Sequence, residues 1–550
     1  MVQSEQQAAV QDVPHAQVAN RILRATGALM LVQIVLRGFG FIEKMILGKY
    51  FGTEWMADAY NAGKDIAFYV YQFIDQAVMH SFLPVFVGRL REHGEEDAWR
   101  LASTVINMLA LLMLIVAVAG MVFTPQMLPL FVPSWFHHHP GQNPQLIPLT
   151  VQLTRMMLAA VIFLAASSLT YSLLNSYKQF ALPASADLAL KGTVLVFAIA
   201  FAHTWGPVAL AVGFVCGALA KFLVHTIGLG RRFTHYRPVL DLRHPGFTTF
   251  AWLALPLLIG VLFSIFRQVM DTRFASSLPE GSISAIRYAR TLCDMPVQFF
   301  PFAFGIALFP FLADIALAGD MERLRGMLMT ATRMMVLIFL PLAAALIFMR
   351  YPIVNGIFGS EKFGQASADL TTAPLVLYAV GMLTAALEIV VLQFFFAMKD
   401  TVRPMVVGLA VLPLHIGIAY MGVFHWGMGA AAIALALLVN KSSKVVVLYT
   451  LIRKKLFSLE GSRTVALTGK VLIALIPFIA IIWLGVHFLP EPGHVAGKIK
   501  KILALLPFGV VAGVATLVYL ALLHALRAEE VNIVVDKVRG KLRKSTAPAG

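Results

Sequence analysis

Residues 101–124 read LASTVINMLALLMLIVAVAGMVFT, a run of 24 residues that contains no Asp, Glu, Lys or Arg. At about 1.5 Å per residue, a helix of this length crosses the roughly 30 Å hydrocarbon core of a bilayer. The run is continuously apolar and lacks the alternation of polar and apolar residues that is typical of a transmembrane strand. The segment therefore predicts a transmembrane helix.

The composition extends this prediction to the whole chain. Of its 550 residues, 59% are hydrophobic and 13% are charged, and the mean hydropathy is +0.79. Soluble domains contain about 45–50% apolar and about 25% charged residues. Cys216 and Cys293 both lie in apolar segments, which indicates neither a disulfide framework nor a thiolate metal site. We expect an all-α polytopic membrane protein.

About fourteen segments are long and apolar enough to cross a bilayer. The predicted spans lie near 25–50, 58–88, 101–124, 146–177, 182–203, 207–230, 247–277, 283–314, 328–349, 366–398, 404–421, 427–452, 468–487 and 502–526.

Lys and Arg residues predict the orientation of these spans. If the N-terminus is cytoplasmic, the opposite-side loops carry only five of them: Arg350, Lys362, Lys498, Lys500 and Lys501. The cytoplasmic loops and tails carry several times as many, which is the positive-inside pattern. Both termini are therefore predicted to be cytoplasmic. This distribution also accounts for the net charge of +16 without a nucleic-acid partner.

Ionisable residues inside spans are costly unless they are paired or hydrated, so each is a functional candidate. They are concentrated in spans 1, 2, 7 and 8, and these four helices are expected to line a water-filled, net cationic cavity. The predicted substrate-binding residues are Arg37, Lys44, Lys64, Arg267, Arg273, Arg287 and Arg290. The predicted supporting or coupling acids are Asp58, Asp65, Asp271 and Asp294.

Structural roles are the alternative for the same residues. The charges could pair with one another, and long basic side chains near span ends could reach the lipid headgroups. The residues placed near span ends are Lys44, Lys49, Lys178 and Lys221. Glu388 is one further candidate for an ion site.

Two similar segments indicate an internal repeat six spans apart. Span 2 ends in SFLPVF (81–86) and span 8 ends in ALFPFL (307–312), each after a charged entry. An even spacing gives the two halves the same orientation, as in transporters that bind substrate between two lobes. Pro84 and Pro310 are predicted hinges because proline removes a helix hydrogen bond.

The predicted organisation follows from the repeat. It comprises a disordered cytoplasmic tail (1–22), an N-lobe (23–232), a C-lobe (246–455), a C-terminal helix pair (466–527) and a basic cytoplasmic tail (528–550).

Three blocks of sequence resemble the MviN/MurJ family of lipid II flippases. They are Arg37-x-x-Gly40-Phe41 with Phe51-Gly52, Ala57-Asp58-Ala59-Tyr60 and Ser81–Phe86; Asp271–Leu278 with Gly281–Arg290; and Phe394–Pro404. They occur in the family's order over about 400 residues. The resemblance implies a multidrug/oligosaccharidyl-lipid/polysaccharide exporter fold in the bacterial inner membrane, a cationic central cavity, and a lipid-tail groove formed by spans 13 and 14.

The chain departs from the family pattern at several charged positions. Glu43, followed by Lys44, stands where the family usually has a second Arg in span 1. No cation lies at Tyr69-Val70-Tyr71, and Arg290 is displaced by one residue within its motif. Lipid II is therefore the first expected substrate, and another polyprenyl-linked oligosaccharide, such as an exopolysaccharide or O-antigen unit, is the second.

Other classes of protein fit the sequence less well. The loops are too short for a catalytic domain, and no Gly-Lys-Ser/Thr phosphate loop is present, so no enzyme activity and no cofactor are expected. The three imidazoles of His137–His139 are adjacent and do not share a face, so no metal is expected there. A coupling cation and a non-transporting membrane scaffold remain open alternatives.

Overall fold

The computed structural model describes residues 34–137, 143–179, 181–456, 461–490 and 498–532. The predicted N-terminal tail, the first residues of span 1, His138 and His139, and most of the C-terminal tail lie outside this description. The described residues are mostly helical.

The helices of the first half are α1 (34–51), α2 (Trp55–Glu92), α3 (Gly94–Phe131), α4 (Leu146–Ser176), α5 (Ala181–Trp205), α6 (Pro207–Leu229) and α7 (Pro245–Ala275). Those of the second half are α8 (Ser282–Leu317), α9 (Met321–Phe348), α10 (Arg350–Phe358), α11 (Gln365–Ala397), α12 (Val402–Ala410), α13 (Leu412–Phe424), α14 (Ala431–Lys455), α15 (Gly461–Phe488) and α16 (Lys498–Ala525). Short 3-10 turns cover Pro133–Phe136 and Gly230–His235.

Eleven helical segments in the described part of the chain are long and apolar enough to cross a membrane. They correspond to predicted spans 3–7 and 9–14. The helices α1, α2 and α8, which correspond to spans 1, 2 and 8, are not among the eleven. The all-α polytopic class is thus confirmed, whereas the count of fourteen and the orientation stay predictions.

Span 11 differs from its prediction because it consists of two helices. Residue Val411 separates α12 from α13, and Pro413 follows in the first turn of α13. Proline has no N–H, so one helical hydrogen bond is lost here, while the Val411 N–H still donates to the Val407 carbonyl and the His415 N–H to the Val411 carbonyl.

The chain divides into two compact units. The N-unit comprises Met1–Ile46, Ala59–Phe131 and Asn143–Phe266, and the C-unit comprises Leu47–Asp58, Val132–Gln142 and Arg267–Gly550.

In the N-unit, α4 packs against α3 and α6, and α6 also packs against α5. Small residues allow this close approach: a Cβ added to Gly217 of α6 would lie 2.6 Å from the Leu190 carbonyl oxygen of α5. Larger side chains at such positions would force the helix backbones apart.

In the C-unit, α11 is central and packs against α8, α9 and α14. The C-terminal pair α15 and α16 packs together and against α9 around Val471, Ile482 and Tyr519, all of which are buried. The Tyr519 hydroxyl donates to the Leu337 carbonyl at 2.9 Å, which fixes α16 on α9.

Candidate functional site: charged clusters in the helices of each unit

The first cluster of the N-unit joins α1 to α2. Glu43 is buried, and its carboxylate forms an ion pair with Lys64 and accepts from the Tyr60 hydroxyl at 3.0 Å. The ammonium group of Lys44 donates to the side-chain oxygen of Asn61 at 2.9 Å. The structure therefore brings the predicted residues Lys44 and Lys64 together, with Glu43 balancing part of their charge.

Lys191 of α5 belongs to the same cluster, although it was not among the residues predicted from the sequence. Its ammonium group donates to the Leu36 carbonyl at 3.0 Å and lies 3.4 Å from the position of a Cβ on Gly40. The half-buried Arg37 is close enough to act on Lys191 electrostatically. The available signal was a lysine in the middle of a span whose other charged residue is Asp187.

A second N-unit cluster corrects the expectation that Lys221 reaches the membrane surface. Lys221 is only 7% exposed, and its ammonium group lies 2.7 Å from the Asp187 carboxylate of α5. On the neighbouring α2, the Tyr71 hydroxyl donates to Asp75 at 3.0 Å. Lys221 is held inside the helix bundle because a buried ammonium group is stabilised by a facing carboxylate.

The main C-unit cluster surrounds Asp271 near the end of α7. Arg267 donates to one Asp271 oxygen at 2.8 Å, and His415 Nε2 of α13 lies 2.7 Å from the other. On α8, Arg290 lies 3.1 Å from Asp294, and both side chains are about 40% exposed. Both ion pairs have the i,i+4 spacing that places two residues on one helix face, whereas no local pattern points to His415.

The remaining predicted cations of the C-unit are Arg273 and Arg287, and both are half-buried. Arg287 lies where Arg290 and Asp58 act on it electrostatically. In the N-unit, Asp65 is buried on α2.

Asp58, in the first turn of α2, contacts the start of α8. Asp58 and the residues that it contacts belong to the C-unit. Its carboxylate accepts from the backbone N–H groups of Gly281 and Ser284, each at 2.8 Å, and from the Ser284 hydroxyl at 2.7 Å. Nearby, the Tyr288 hydroxyl donates to the Gly52 carbonyl at 2.9 Å. A carboxylate at the positive end of a helix is favourable, so Asp58 has a structural role as a cap of α8.

Glu388 of α11 pairs with two lysines of α14. Its carboxylate forms an ion pair with Lys441 and lies 2.7 Å from the ammonium group of Lys444. The two lysines are three residues apart and share a helix face. Within the residues that the structure describes, no group of three or more His, Cys, Asp or Glu residues could hold a metal ion.

The predicted hinges lie inside long helices. Both α2 and α8 continue through their prolines, Pro84 and Pro310. Pro84 is exposed on α2. The side chain of Pro310 lies outside the description, and the hinge role of both residues stays a prediction.

The fold is similar to those of solved polytopic helical membrane proteins. It resembles a solved structure titled "Lipid II flippase MurJ, inward closed conformation", with a TM-score of 0.73 and 19% identity over 91% of this chain and 99% of that one. It also resembles an inward-facing multidrug resistance MATE family transporter of the MOP superfamily, with a TM-score of 0.64 and 13% identity over 78% and 98% of the two chains. These likenesses define the class by fold: a polytopic helical membrane protein with charged clusters in its helices.

The sequence comparisons narrow this class to one family. The sequence model described as "Lipid II flippase MurJ" matches residues 47–505. The "Probable lipid II flippase MurJ" of Bdellovibrio bacteriovorus is 28% identical over 76% of this chain and 80% of its own length. The "Lipid II flippase MurJ" of Burkholderia cenocepacia is 25% identical over 71% and 75%. The chain therefore belongs to the MurJ family, which confirms the resemblance found in the sequence.

Family membership and the apolar helices together determine the location. The eleven helices long enough to cross a bilayer occur in a chain whose family consists of bacterial flippases. The protein is a multi-pass protein of the bacterial inner membrane.

Proposed function

We propose that this chain moves lipid II from the cytoplasmic to the outer leaflet of the inner membrane by alternating access. The observation that carries the proposal is the family match over residues 47–505. The charged clusters in the helices of each unit supply the chemistry that a charged lipid headgroup needs. The reaction is transport, with no covalent bond made or broken.

The cations of the N-unit fit a diphosphate headgroup. Lipid II carries roughly two negative charges on its diphosphate, which hydrocarbon excludes strongly. The cluster of Arg37, Lys44, Lys64 and Lys191 contains four cations, and the carboxylates that act on it are Glu43 and, at Lys191, Asp187. Arg37 suits a diphosphate through its bidentate donor fork, and the lysines add point charges.

The C-unit cations differ in how much of their charge is already balanced. Arg267 and Arg290 each contact a carboxylate, Asp271 and Asp294 respectively. Arg290 keeps a side chain that is 40% exposed, so it can exchange Asp294 for a phosphate oxygen. We assign substrate contact to Arg290 together with the half-buried Arg273 and Arg287.

The C-terminal pair of helices is the proposed site of the lipid tail. Ile476 and Leu517 are 69% and 68% exposed on the surfaces of α15 and α16, while the opposite faces pack on α9. Lipid and polyprenyl tail are equally apolar, so the hydrophobic effect does not drive the tail onto this surface. Dispersion contacts with the exposed side chains would hold it there.

Energy input comes from the membrane potential or from a coupling cation. Each elementary charge that crosses 100 mV contributes about 2.3 kcal/mol. The proposed conformational basis of alternating access is the rocking of two lobes (23–232 and 246–455). Hinge bending at Pro84 and Pro310 accompanies this motion.

Depletion of the protein followed by analysis of lipid-linked intermediates tests this proposal. Lipid II is expected to accumulate in the cytoplasmic leaflet, and re-expression of the wild-type chain should clear it. Accumulation of a different polyprenyl-linked oligosaccharide would contradict lipid II as the substrate. No accumulation of any such lipid would contradict transport and favour a membrane scaffold.

A further inference from the structure

A cleft of about 450 Å³ lies in the N-unit, beside the first turns of α3. Its walls are the turn between α2 and α3 and the segment 230–245, which joins α6 to α7. The side chains that line it include His93, Glu96, Trp99, Arg100, His235 and Arg237. The volume falls within the range of about 300–1,000 Å³ that is usual for small-molecule sites. The described lining shares no residue with the predicted substrate-binding set.

The segment 230–245, here called the strap, is held against α3 through its backbone. The Asn107 side chain donates to the carbonyls of Arg237 and Val239 at 3.2 and 2.9 Å. The Arg237 N–H donates in turn to the Ser103 hydroxyl oxygen at 3.1 Å. Because backbone groups of the strap make these bonds, substitution of the charged side chains around the cleft leaves the strap in place.

Both neighbouring helices place the cleft at the level of the lipid headgroups. Arg100 immediately precedes the uncharged run 101–124 of α3, and Leu111, one turn beyond Asn107, is already exposed on this membrane helix. On α7, the exposed Trp252 lies two turns beyond the start of the helix. Exposed Trp side chains are typical of the membrane–water interface. A lipid headgroup is therefore the expected ligand at this depth.

Two ion pairs border the cleft and stay open to solvent. Arg100 lies 2.9 Å from Asp241, and Arg237 lies 3.3 Å from Glu96. The side chains of Arg100 and Arg237 are 60% and 68% exposed, and that of Glu96 is 83% exposed. Exposed ion pairs contribute little to stability, so these side chains can exchange partners at small cost.

The second acid in the lining, Asp97, already has its partners. Arg89 donates to both of its oxygens, at 2.7 and 2.9 Å, and His244 Nε2 lies 3.2 Å from one of them. Glu96 is therefore the carboxylate of the lining that is open to the cation of a ligand. The cleft thus offers guanidinium groups and one carboxylate side by side.

We propose that this cleft binds the phosphoethanolamine headgroup of a membrane phospholipid. The phosphate lies between the guanidinium groups of Arg100 and Arg237, and the ammonium group lies at the carboxylate of Glu96. Guanidinium groups bind phosphate oxygens through paired N–H donors, and a primary ammonium group has three donors of its own. Only two methylene groups join the headgroup charges, which suits the adjacent opposite charges of Arg237 and Glu96. Binding is noncovalent and does not depend on the proposed lipid II transport.

The strap also provides apolar contacts for the rest of the lipid. Leu240 and Leu242 are both exposed, whereas the intervening Asp241 faces α3, where its N–H donates to the Thr104 hydroxyl oxygen at 3.2 Å. The two leucines therefore lie on the outer side of the strap. Apolar side chains beside basic ones are typical of surfaces that contact the boundary between headgroups and acyl chains.

Other headgroups fit the cleft less well. Phosphatidylglycerol carries no cation for Glu96. The quaternary ammonium group of phosphatidylcholine has no N–H donor, and such groups are bound by open aromatic faces. Trp99 does not offer one, because it is buried and stacks with His235, the ring centroids being 6.1 Å apart.

Native mass spectrometry of the delipidated full chain tests the inference, with phosphatidylethanolamine, phosphatidylcholine and phosphatidylglycerol of identical acyl chains. For the wild-type protein, we expect the first phosphatidylethanolamine to bind about threefold to tenfold more tightly than either of the others. A charge-assisted hydrogen bond to an exposed carboxylate accounts for a difference of this size.

Paired variants assign the preference to the cleft. Glu96→Gln should remove the preference for phosphatidylethanolamine over phosphatidylcholine. The matched control is Glu95→Gln, which makes the same charge change at the neighbouring acid, whose carboxylate accepts from the Tyr177 hydroxyl at 3.0 Å. This control should keep the wild-type preference.

The phosphate contacts are tested in the same way. Arg100→Gln and Arg237→Gln should each weaken phosphatidylethanolamine binding severalfold, because each removes a donor to the phosphate. Arg91→Gln, at an exposed arginine near the end of α2, should bind as the wild type does.

Several outcomes would overturn the inference. Equal affinity of the wild-type protein for phosphatidylethanolamine and phosphatidylcholine, or tighter binding of phosphatidylglycerol, would refute the ligand. An equal loss of preference in Glu95→Gln and Glu96→Gln would show an effect of general surface charge. Displacement of the lipid by millimolar inorganic phosphate would assign the cleft to a soluble phosphate instead. Each of these results leaves the proposed lipid II transport untouched.

Discussion

The carboxylate of Asp58 accepts hydrogen bonds from both the backbone N–H and the hydroxyl of Ser284, at 2.8 and 2.7 Å. These residues are 226 positions apart in the sequence. The contact holds the first turn of α2 against the first turn of α8 within the C-unit. It gives an aspartate in the family-like motif Ala57–Tyr60 a structural role that does not require an ion.

The first prediction concerns this contact. Asp58→Ala leaves the buried N–H groups of Gly281 and Ser284 without their acceptor, and we expect a loss of about 1–3 kcal/mol in unfolding free energy. Thermal unfolding in detergent, followed by fluorescence, measures the loss. The control is Glu322→Ala in the first turn of α9, where the side chain is 87% exposed. Equal melting temperatures for Asp58→Ala and wild type would show that the cap contributes nothing.

The ion pair of Glu43 and Lys64 predicts non-additive stability effects. Each of Glu43→Gln and Lys64→Met leaves one charge without its partner, at a cost of about 1–3 kcal/mol because Lys64 is still 22% exposed. The double variant should cost less than the sum of the two single variants. A double-mutant cycle of unfolding free energies measures the coupling, with the exposed Lys49→Met as control. Simple additivity would contradict a direct pair.

Transport is expected to require the cations that we assign to substrate contact. Arg37→Ala and Arg290→Ala should each abolish lipid transport while the protein stays folded and inserted, because a bidentate donor to the diphosphate is lost. Complementation of a flippase-depleted strain measures this, with membrane levels checked in parallel. Arg323→Ala, at a residue whose side chain is 77% exposed, should complement fully. Full complementation by both cavity variants would refute the assignment.

A pH-dependent contribution to stability is predicted at Asp400, which lies between α11 and α12. Burial opposes ionisation of Asp400, but Lys455 at 2.7 Å and the Arg403 N–H at 3.2 Å outweigh it, so the pKa of the carboxyl is lowered from 3.8. A lowered pKa in the folded state stabilises the protein at neutral pH, and this contribution is lost as the pH falls below about 3.8.

Asp400→Asn should therefore lower the melting temperature at pH 7 and approach wild type in the acid range below pH 3.8. Lys455→Met should behave in the same way, whereas Lys454→Met, at an exposed neighbour, should match wild type throughout. A difference from wild type that is the same at all pH values would contradict the electrostatic origin.

Local sequence determined which segments form membrane helices. A run such as residues 101–124 offers no charged side chain, and in hydrocarbon only a helix satisfies every backbone N–H and C=O within one segment. The Arg267–Asp271 and Arg290–Asp294 pairs are likewise local, because residues four apart share a helix face. Recognisable motifs spread over about 400 residues were sufficient to indicate the family.

Only the tertiary structure decided which distant residues share a cluster. Lys191 reaches the carbonyl of Leu36, 155 positions earlier, and His415 reaches Asp271, 144 positions earlier. Lys221, placed at a span end, turned inward because Asp187 faces it.

The physical reason is that helix periodicity is a local property, whereas partners on other helices depend on how the helices pack. The sequence by itself determined the membrane helices, their embedded charges and the family. The packing determined which charges are neutralised, which carboxylate caps a helix, and which buried histidine contacts Asp271.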